Sequence, residues 1–246
     1  MLQECLPTRS HPSFQPTVSI GNVGQLAIDL LLASSTGTEK YGDLAHPALI
    51  PLVGSGETVE QTWTSCQVHV NEKSKVAFVQ LRSDIAKGRE REFVDDFMDW
   101  FKRSEFGDLV ILSSLDAVER GESQLSGSQF RYLTTNPKGS LAKEFGLKED
   151  WLTLEKRPGE QEPRLYGSGL AKQLLQNLSQ DDAVEAVFLF VFCTEGDNLN
   201  IATYLTDIFN QWKGSIPCEE STRKPKFRFP STWQHLYGNP IQSNIY

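Results

Sequence analysis

Long apolar runs are missing from this 246-residue chain. The longest, Ala186 to Cys193, spans eight residues, against the ~20 that a membrane-crossing helix needs. A secretory leader is not expected, because the opening MLQECLPTRSHPSFQPT is broken by charge and three prolines. Cysteine is scarce: four residues, at 5, 66, 193 and 218, form no CxxC pair and keep no metal-ligand spacing to the four histidines. So few thiols cannot staple a chain of this length, and the expectation is a soluble protein of a reducing compartment. Positive charge is outnumbered, 24 Lys and Arg against 32 Asp and Glu, for a net charge of −8. An acidic surface works against broad contact with nucleic acid or anionic membrane, although a local basic patch could still bind either. Catalytic signatures are absent too: there is no GxSxG, and no Ser or Cys stands in a nucleophile context. No repeat shows at periods of 20 to 50 residues.

What is present is a core. Hydrophobic residues make up 39% of the chain and aromatics 10%, with 14 Phe and 5 Trp, which excludes a disordered chain and suffices for one sizeable domain. Residues 1–16 read as a Pro- and Ser-rich tail. Thr17 to Ile20 reads as a short strand, stopped by Gly21-Asn22-Val23-Gly24 and followed by the helix QLAIDLLLAS, apolar nearly all round. After a loop bearing Gly, His and Pro, Ala48 to Val53 reads as a second strand. Trp63 to Val70 and Lys75 to Arg82 form a hairpin across the polar NEKS. Arg89 to Arg103 is helical on periodicity, with Phe93, Phe97, Trp100 and Phe101 on one stripe. Asp108 to Ser114 and Val184 to Cys193 are continuous apolar strands, the form taken by strands covered on both faces. A helix bearing Leu205, Ile208, Phe209 and Trp212 on one stripe follows the second, with Asp197 or Asn198 available to cap it. Strand–helix alternation around two such strands predicts an α/β sandwich with a mostly parallel central sheet. Asn136 to Gly169 is polar, with six acidic residues and three prolines, and is expected to carry helix and loop at an edge. The predicted division is a tail over 1–16, a single α/β domain over 17–213, and a basic linker with a C-terminal docking tail over 214–246.

Three places invite a chemical reading. The Gly21–Gly24 turn lies between strand and helix, where backbone N–H groups can face a phosphate. It lacks the Lys-Ser/Thr of a P-loop and the GxGxxG spacing, and two glycines in a tight turn explain it equally. Glu195 and Asp197 follow the strongest strand, where α/β enzymes place acid–base groups, but a capped helix start uses negative charge in the same way. The histidines at 11, 46, 69 and 235 form no recognisable pair. Cys193, within an apolar strand, is expected to be a buried, inert thiol. Neither a cofactor nor a metal is predicted.

The C-terminal region differs in character. Arg223, Lys224, Lys226 and Arg228 form a basic run interleaved with Phe227 and Phe229. Such a stripe suits nucleic acid, a nuclear address, or an acidic protein surface, and the acidic chain favours the last. The sequence closes PIQSNIY, where Ile245 and Tyr246 can act as an anchor: ring and aliphatic group fill a pocket while a carboxylate meets a lysine or a backbone nest.

Six patches, in order, carry a family resemblance: Val18 to Ala27, Gln80 to Ser83, Val110 to Ser114, Phe130 to Leu133, Glu195 to Asn198 and Pro230 to Trp233. Together they resemble the proteasome assembly chaperone 2 family over most of the chain. That resemblance implies a non-enzymatic chaperone, paired as a heterodimer with a proteasome assembly chaperone 1-like subunit, that helps proteasome α-type subunits assemble into the α-ring. It implies a three-layer α/β/α fold like that of nucleoside phosphorylases, work in the cytoplasm and nucleus, and no nucleic-acid or membrane partner. Proteins that dock on the α-ring often end in a hydrophobic residue, Tyr and one residue more. Here Ile245-Tyr246 supplies the first two without the third. The competing expectation is a phosphate-dependent enzyme of nucleoside phosphorylase or hydrolase type, using the Gly21–Gly24 turn with Glu195 or Asp197.

Overall fold

A computed structural model describes residues 13–16, 18–55, 62–125, 127–157, 159–180, 183–219 and 224–237. The chain opens with strand β1 (Ser13–Pro16) and helix α1 (Val23–Ser34), followed by β2 (Thr38–Asp43). A small two-stranded sheet, β3 (Val53–Ser55) with β4 (Thr62–Thr64), interrupts the main one. The hairpin β5 (Cys66–Asn71) and β6 (Val76–Leu81) comes next, then α2 (Glu90–Arg103) and β7 (Leu109–Asp116). After the single turn α3 (Glu122–Leu125) come β8 (Phe130–Thr134), α4 (Ser140–Gly146), α5 (Ala171–Leu178), β9 (Ala186–Cys193) and α6 (Leu199–Lys213).

The main sheet has seven strands in the order β2-β5-β6-β1-β7-β9-β8. Its four inner strands run parallel, β1 between β6 and β7, and β7 beside β9. The outer pairings, β2 with β5, β5 with β6 and β8 with β9, are antiparallel. The class is α/β, and the sheet is mixed rather than mostly parallel. The hairpin on one side and the return of β8 on the other reverse the chain, since antiparallel neighbours need only a short turn.

Side chains alternate cleanly across this sheet. Phe188, Phe190 and Phe192 of β9 face α2 and α5 with Ala77, Val79, Leu109 and Ile111. Val187, Leu189, Val191 and Cys193 face α1 and α6 with Phe78, Val110 and Leu112. Strands greasy on both faces require a helical layer on each, which is what the two clusters supply. In α2 the stripe Phe93, Phe97, Trp100 and Phe101 is buried, with Glu90 and Glu92 in the first turn and Lys102 and Arg103 in the last, as the helix dipole favours. Gln25 and Asp29 of α1 are one turn apart and reach the end of β6. The Gln25 amide donates to the Leu81 carbonyl at 2.8 Å, and Asp29 accepts from Gln80 at 2.8 Å and from Arg82 at 2.7 Å. Among the described residues no helix is long and apolar enough to cross a membrane.

Two strand expectations shift. The first strand is Ser13–Pro16, upstream of Thr17 to Ile20, and it lies at the centre of the sheet rather than in a tail. Pairing of Ser13 and Phe14 with both neighbours overrides a Pro-bearing sequence of low strand propensity, and Pro16, with no N–H to donate, ends it. Ala48 to Val53 is mostly not strand. Ala48 and Leu49 are buried and tied to the Ile85 region, and only Val53 enters β3. The segment read as a linker lies against the α1 and α6 layer. Ile216 is buried and held by Asn210, whose side chain accepts from its N–H at 2.7 Å, and Trp233 is buried in the same cluster.

Candidate functional site

In open α/β sheets a ligand crevice lies outside the carboxyl ends of the parallel strands. Here that crevice is occupied by the chain's own backbone. Past β1, Ser19 is extended, Ile20 to Asn22 make one 3₁₀ turn, and Gly21 and Asn22 have φ of +64° and +54° before α1 begins. The Ile20 carbonyl accepts from the Ser114 hydroxyl at 2.6 Å, and Ser114 also contacts the Ser19 hydroxyl at 2.8 Å. A second loop, Leu165 to Leu170, crosses from the other side. Its Gly167 carbonyl accepts from the Ile20 N–H at 2.8 Å, its Tyr166 carbonyl from the Asp116 N–H at 3.0 Å, and its Ser168 carbonyl from the Ser113 hydroxyl at 3.0 Å. Gly169, at φ +57°, is positioned so that a Cβ would overlap the Val18 carbonyl oxygen. The two loops therefore meet backbone to backbone, which only glycine allows at that point.

The two motifs singled out in the sequence converge on this knot. A Cβ on Gly21 would overlap the Asn198 side-chain amide. That amide is fixed by donating to the Thr194 carbonyl at 2.8 Å and the Gly196 carbonyl at 3.1 Å. The space beside Gly21 thus belongs to Asn198, and the Asn22 N–H is spent on the Ser19 carbonyl at 2.9 Å. Asp197 is exposed, and its carboxylate accepts from the Leu199 N–H at 3.0 Å, the bond of a helix start. Glu195 is exposed beside it. Among the described residues no cluster of three or more His, Cys, Asp or Glu is arranged to hold a metal ion.

The remaining candidates have structural partners. His46 is buried, accepts the Ala48 N–H on Nδ1 at 3.0 Å, meets Asp96 through Nε2 at 3.0 Å, and sets its ring edge-on to Phe93. Burial, aided by Arg82 and Lys40, pushes the His69 imidazole down to about 4. Burial pushes the Cys193 thiol up, and its sulfur contacts the Ile20 carbonyl at 3.4 Å. Cys66, enclosed in the core, is pushed up to about 12. His11, Arg223, Ile245 and Tyr246 lie outside the described residues.

The sequence reading missed the partner loop. Gly167-Ser168-Gly169 was its one visible signal, because two glycines bracketing a serine mark a backbone that must take φ above zero, as both do. Beside the knot, a cleft of about 840 Å³ opens between α2, α5 and this loop, lined by Arg91, Asp95, Glu160, Arg164 and Lys172. On the opposite face, Lys224, Lys226 and Arg228 are exposed on a segment laid on α1, where the Arg228 N–H donates to Ser34 Oγ at 2.9 Å.

The PAC2 family model matches residues 13–206. The chain is 32% identical to proteasome assembly chaperone 2 of Xenopus tropicalis over 244 residues, covering 94% of this chain and 93% of the relative. It is 35% identical to proteasome assembly chaperone 2 of Danio rerio, covering 94% and 95%. Among solved structures, Pyrococcus furiosus PbaA, an archaeal homolog of proteasome-assembly chaperone, superposes with a TM-score of 0.64 at 12% identity, covering 88% of this chain and 87% of that one. Pyrococcus furiosus PbaB, an archaeal proteasome activator, gives 0.62 at 13% identity and 90% of each chain. These structural likenesses speak to the fold.

Proposed function

The chain belongs to the PAC2 family, as a relative of proteasome assembly chaperone 2, and on that premise we propose that it acts by binding proteasome subunits during assembly and not by catalysis. In this reading it pairs as a heterodimer with a proteasome assembly chaperone 1-like subunit and promotes and protects the α-ring, touching α-type subunits. It works in the cytoplasm and nucleus, without nucleic-acid or membrane partners. The observation that carries the reading is identity near one third across 94% of the chain to proteins of that name. The interlocked loops support it, since the space an α/β enzyme would give to phosphate beside Gly21 is taken by Asn198. The layering is read as kin to nucleoside phosphorylases in fold alone, with no activity carried across.

Co-expression with the chaperone 1-like subunit should yield a stable one-to-one complex that captures α-type subunits. A chain that stays a lone monomer and captures none would refute the proposal. The enzymatic alternative makes an opposite demand. Phosphate at about 100 times its Kd would stabilise the fold by ~2.7 kcal/mol, so a clear rise in Tm with millimolar phosphate would revive it.

A further inference from the structure

Charge is unevenly shared along this chain. All 32 carboxylates lie within residues 1–220, and none of Asp or Glu occurs from Ser221 to Tyr246, where Arg223, Lys224, Lys226 and Arg228 fall. The structure shows how part of that region is held. The backbone is tied down at three points: the Lys226 N–H donates to the Pro217 carbonyl at 2.9 Å, the Glu219 N–H donates to the Lys224 carbonyl at 2.8 Å, and the Phe227 N–H closes a tight turn on the Pro225 carbonyl at 3.2 Å. Arg228 and Ser34 exchange hydrogen bonds at 2.9 and 3.4 Å, which ties the strap to the end of α1. Phe227 packs partly into the α1/α6 core, and Trp233, only 7% exposed, anchors the turn that follows. Along the segment exposure alternates: Lys224, Lys226 and Arg228 are exposed while Pro225 and Phe227 are partly buried. Phe229, Leu236 and Tyr237 add apolar surface, at 58%, 47% and 46% exposure.

We propose that this strap, Lys224 to Tyr237, is a docking surface for an acidic protein face on the proteasome α-type subunits. The inference rests on the ring-assembly reading above and adds a contact to it. An unstructured linker would have no reason to anchor its aromatics and tie down a backbone whose cations stay exposed. Exposed aromatics beside fixed cations suit a protein surface, where the apolar groups bury area and the cations steer approach. Charge complementarity selects the partner: a carboxylate-rich face is attracted here and repelled by the rest of the chain.

The test uses the full chain co-expressed with its chaperone 1-like subunit, bound to isolated α-type subunits. Charge reversal at Lys224→Glu, Lys226→Glu and Arg228→Glu should leave Tm and the heterodimer intact, because all three side chains are exposed. Association should slow by about tenfold at low salt, the scale of three exposed charge contacts, and dissociation should change little. The gap should narrow towards 1 M salt, where screening acts within about 3 Å. A neutral variant, Lys→Gln at 224 and 226 with Arg228→Gln, should fall between. Equal association rates for wild type and both variants overturn the strap alone. A wild-type complex that captures no α-type subunit overturns the ring reading and the strap with it. If the triple reversal abolishes binding to a duplex oligonucleotide and leaves subunit binding unchanged, the strap is a nucleic-acid contact and the proposal fails.

Discussion

Gly169→Ala tests whether the crossed loops hold the carboxyl end of the sheet together. Two costs combine. An alanine at φ +57° carries a left-handed penalty of ~1 kcal/mol. Its Cβ would also overlap the Val18 carbonyl oxygen, a backbone atom with no rotamer to retreat into. Relief requires the two loops to separate, which threatens the Ile20–Gly167 hydrogen bond at 2.8 Å and the buried Ser113–Ser168 bond at 3.0 Å. Leaving such groups buried without partners costs ~1–3 kcal/mol, so the total loss is ~2–4 kcal/mol. At ~2–4 °C per kcal/mol for a domain of this size, Tm should fall by roughly 4–16 °C. Gly88→Ala is the matched control: φ is +84°, but nothing lies within 4 Å of the added carbon. It should cost only the conformational term, about 1 kcal/mol, or roughly 2–4 °C. Thermal melts followed by circular dichroism read both. Equal small shifts for the two variants would mean that the loops give way freely and that the locking argument is wrong.

Other perturbations have defined outcomes. His69 is held at about 4 by burial first, then by Arg82 and Lys40. The unfolded chain, titrating near 6.5, takes up that proton first, so stability should be full above pH ~6.5 and decline by on the order of 3 kcal/mol as pH falls to 4. His69→Gln should flatten the urea-midpoint profile across that window, and an NMR pKa near 6.5 in the native protein would contradict it. Maleimide mapped by mass spectrometry should label exposed Cys218 in the native state and reach buried Cys66, pushed up to about 12, only after unfolding. Labelling of both at one rate would contradict that burial. Deleting Ile245 and Tyr246 should weaken attachment to the α-ring while the chaperone heterodimer survives, and an unchanged ring affinity would make those residues bystanders.

What could be read beforehand follows from where the information resides. β7, β9 and α2 announce themselves because burial on two faces, or on one stripe, demands a continuous or periodic apolar pattern. The hairpin was equally legible: Asn71 opens its turn by accepting the Lys73 and Ser74 N–H groups, both at 3.1 Å. β1 was not, because four residues ending in proline owe their strand state to partners far along the chain. β2, with its sequence TEKYGD, is an exposed edge whose Lys40 and bulge discourage further pairing, so it carries no apolar signal. The site divided in the same way. Gly21 and Asn198 were each visible, but their contact is a tertiary fact that neither local pattern encodes.

The place of β1 has a consequence for how the protein is made. A ribosome releases Ser13 to Pro16 before either strand that flanks them, and these residues can be paired on both sides only after Ala77 and then Leu109 have emerged. Until then the midline of the future sheet is an exposed pair of edges, open to capture by a holdase or a neighbouring polypeptide. Trimming the amino end through Pro16 would therefore divide the sheet into two halves rather than shave its margin.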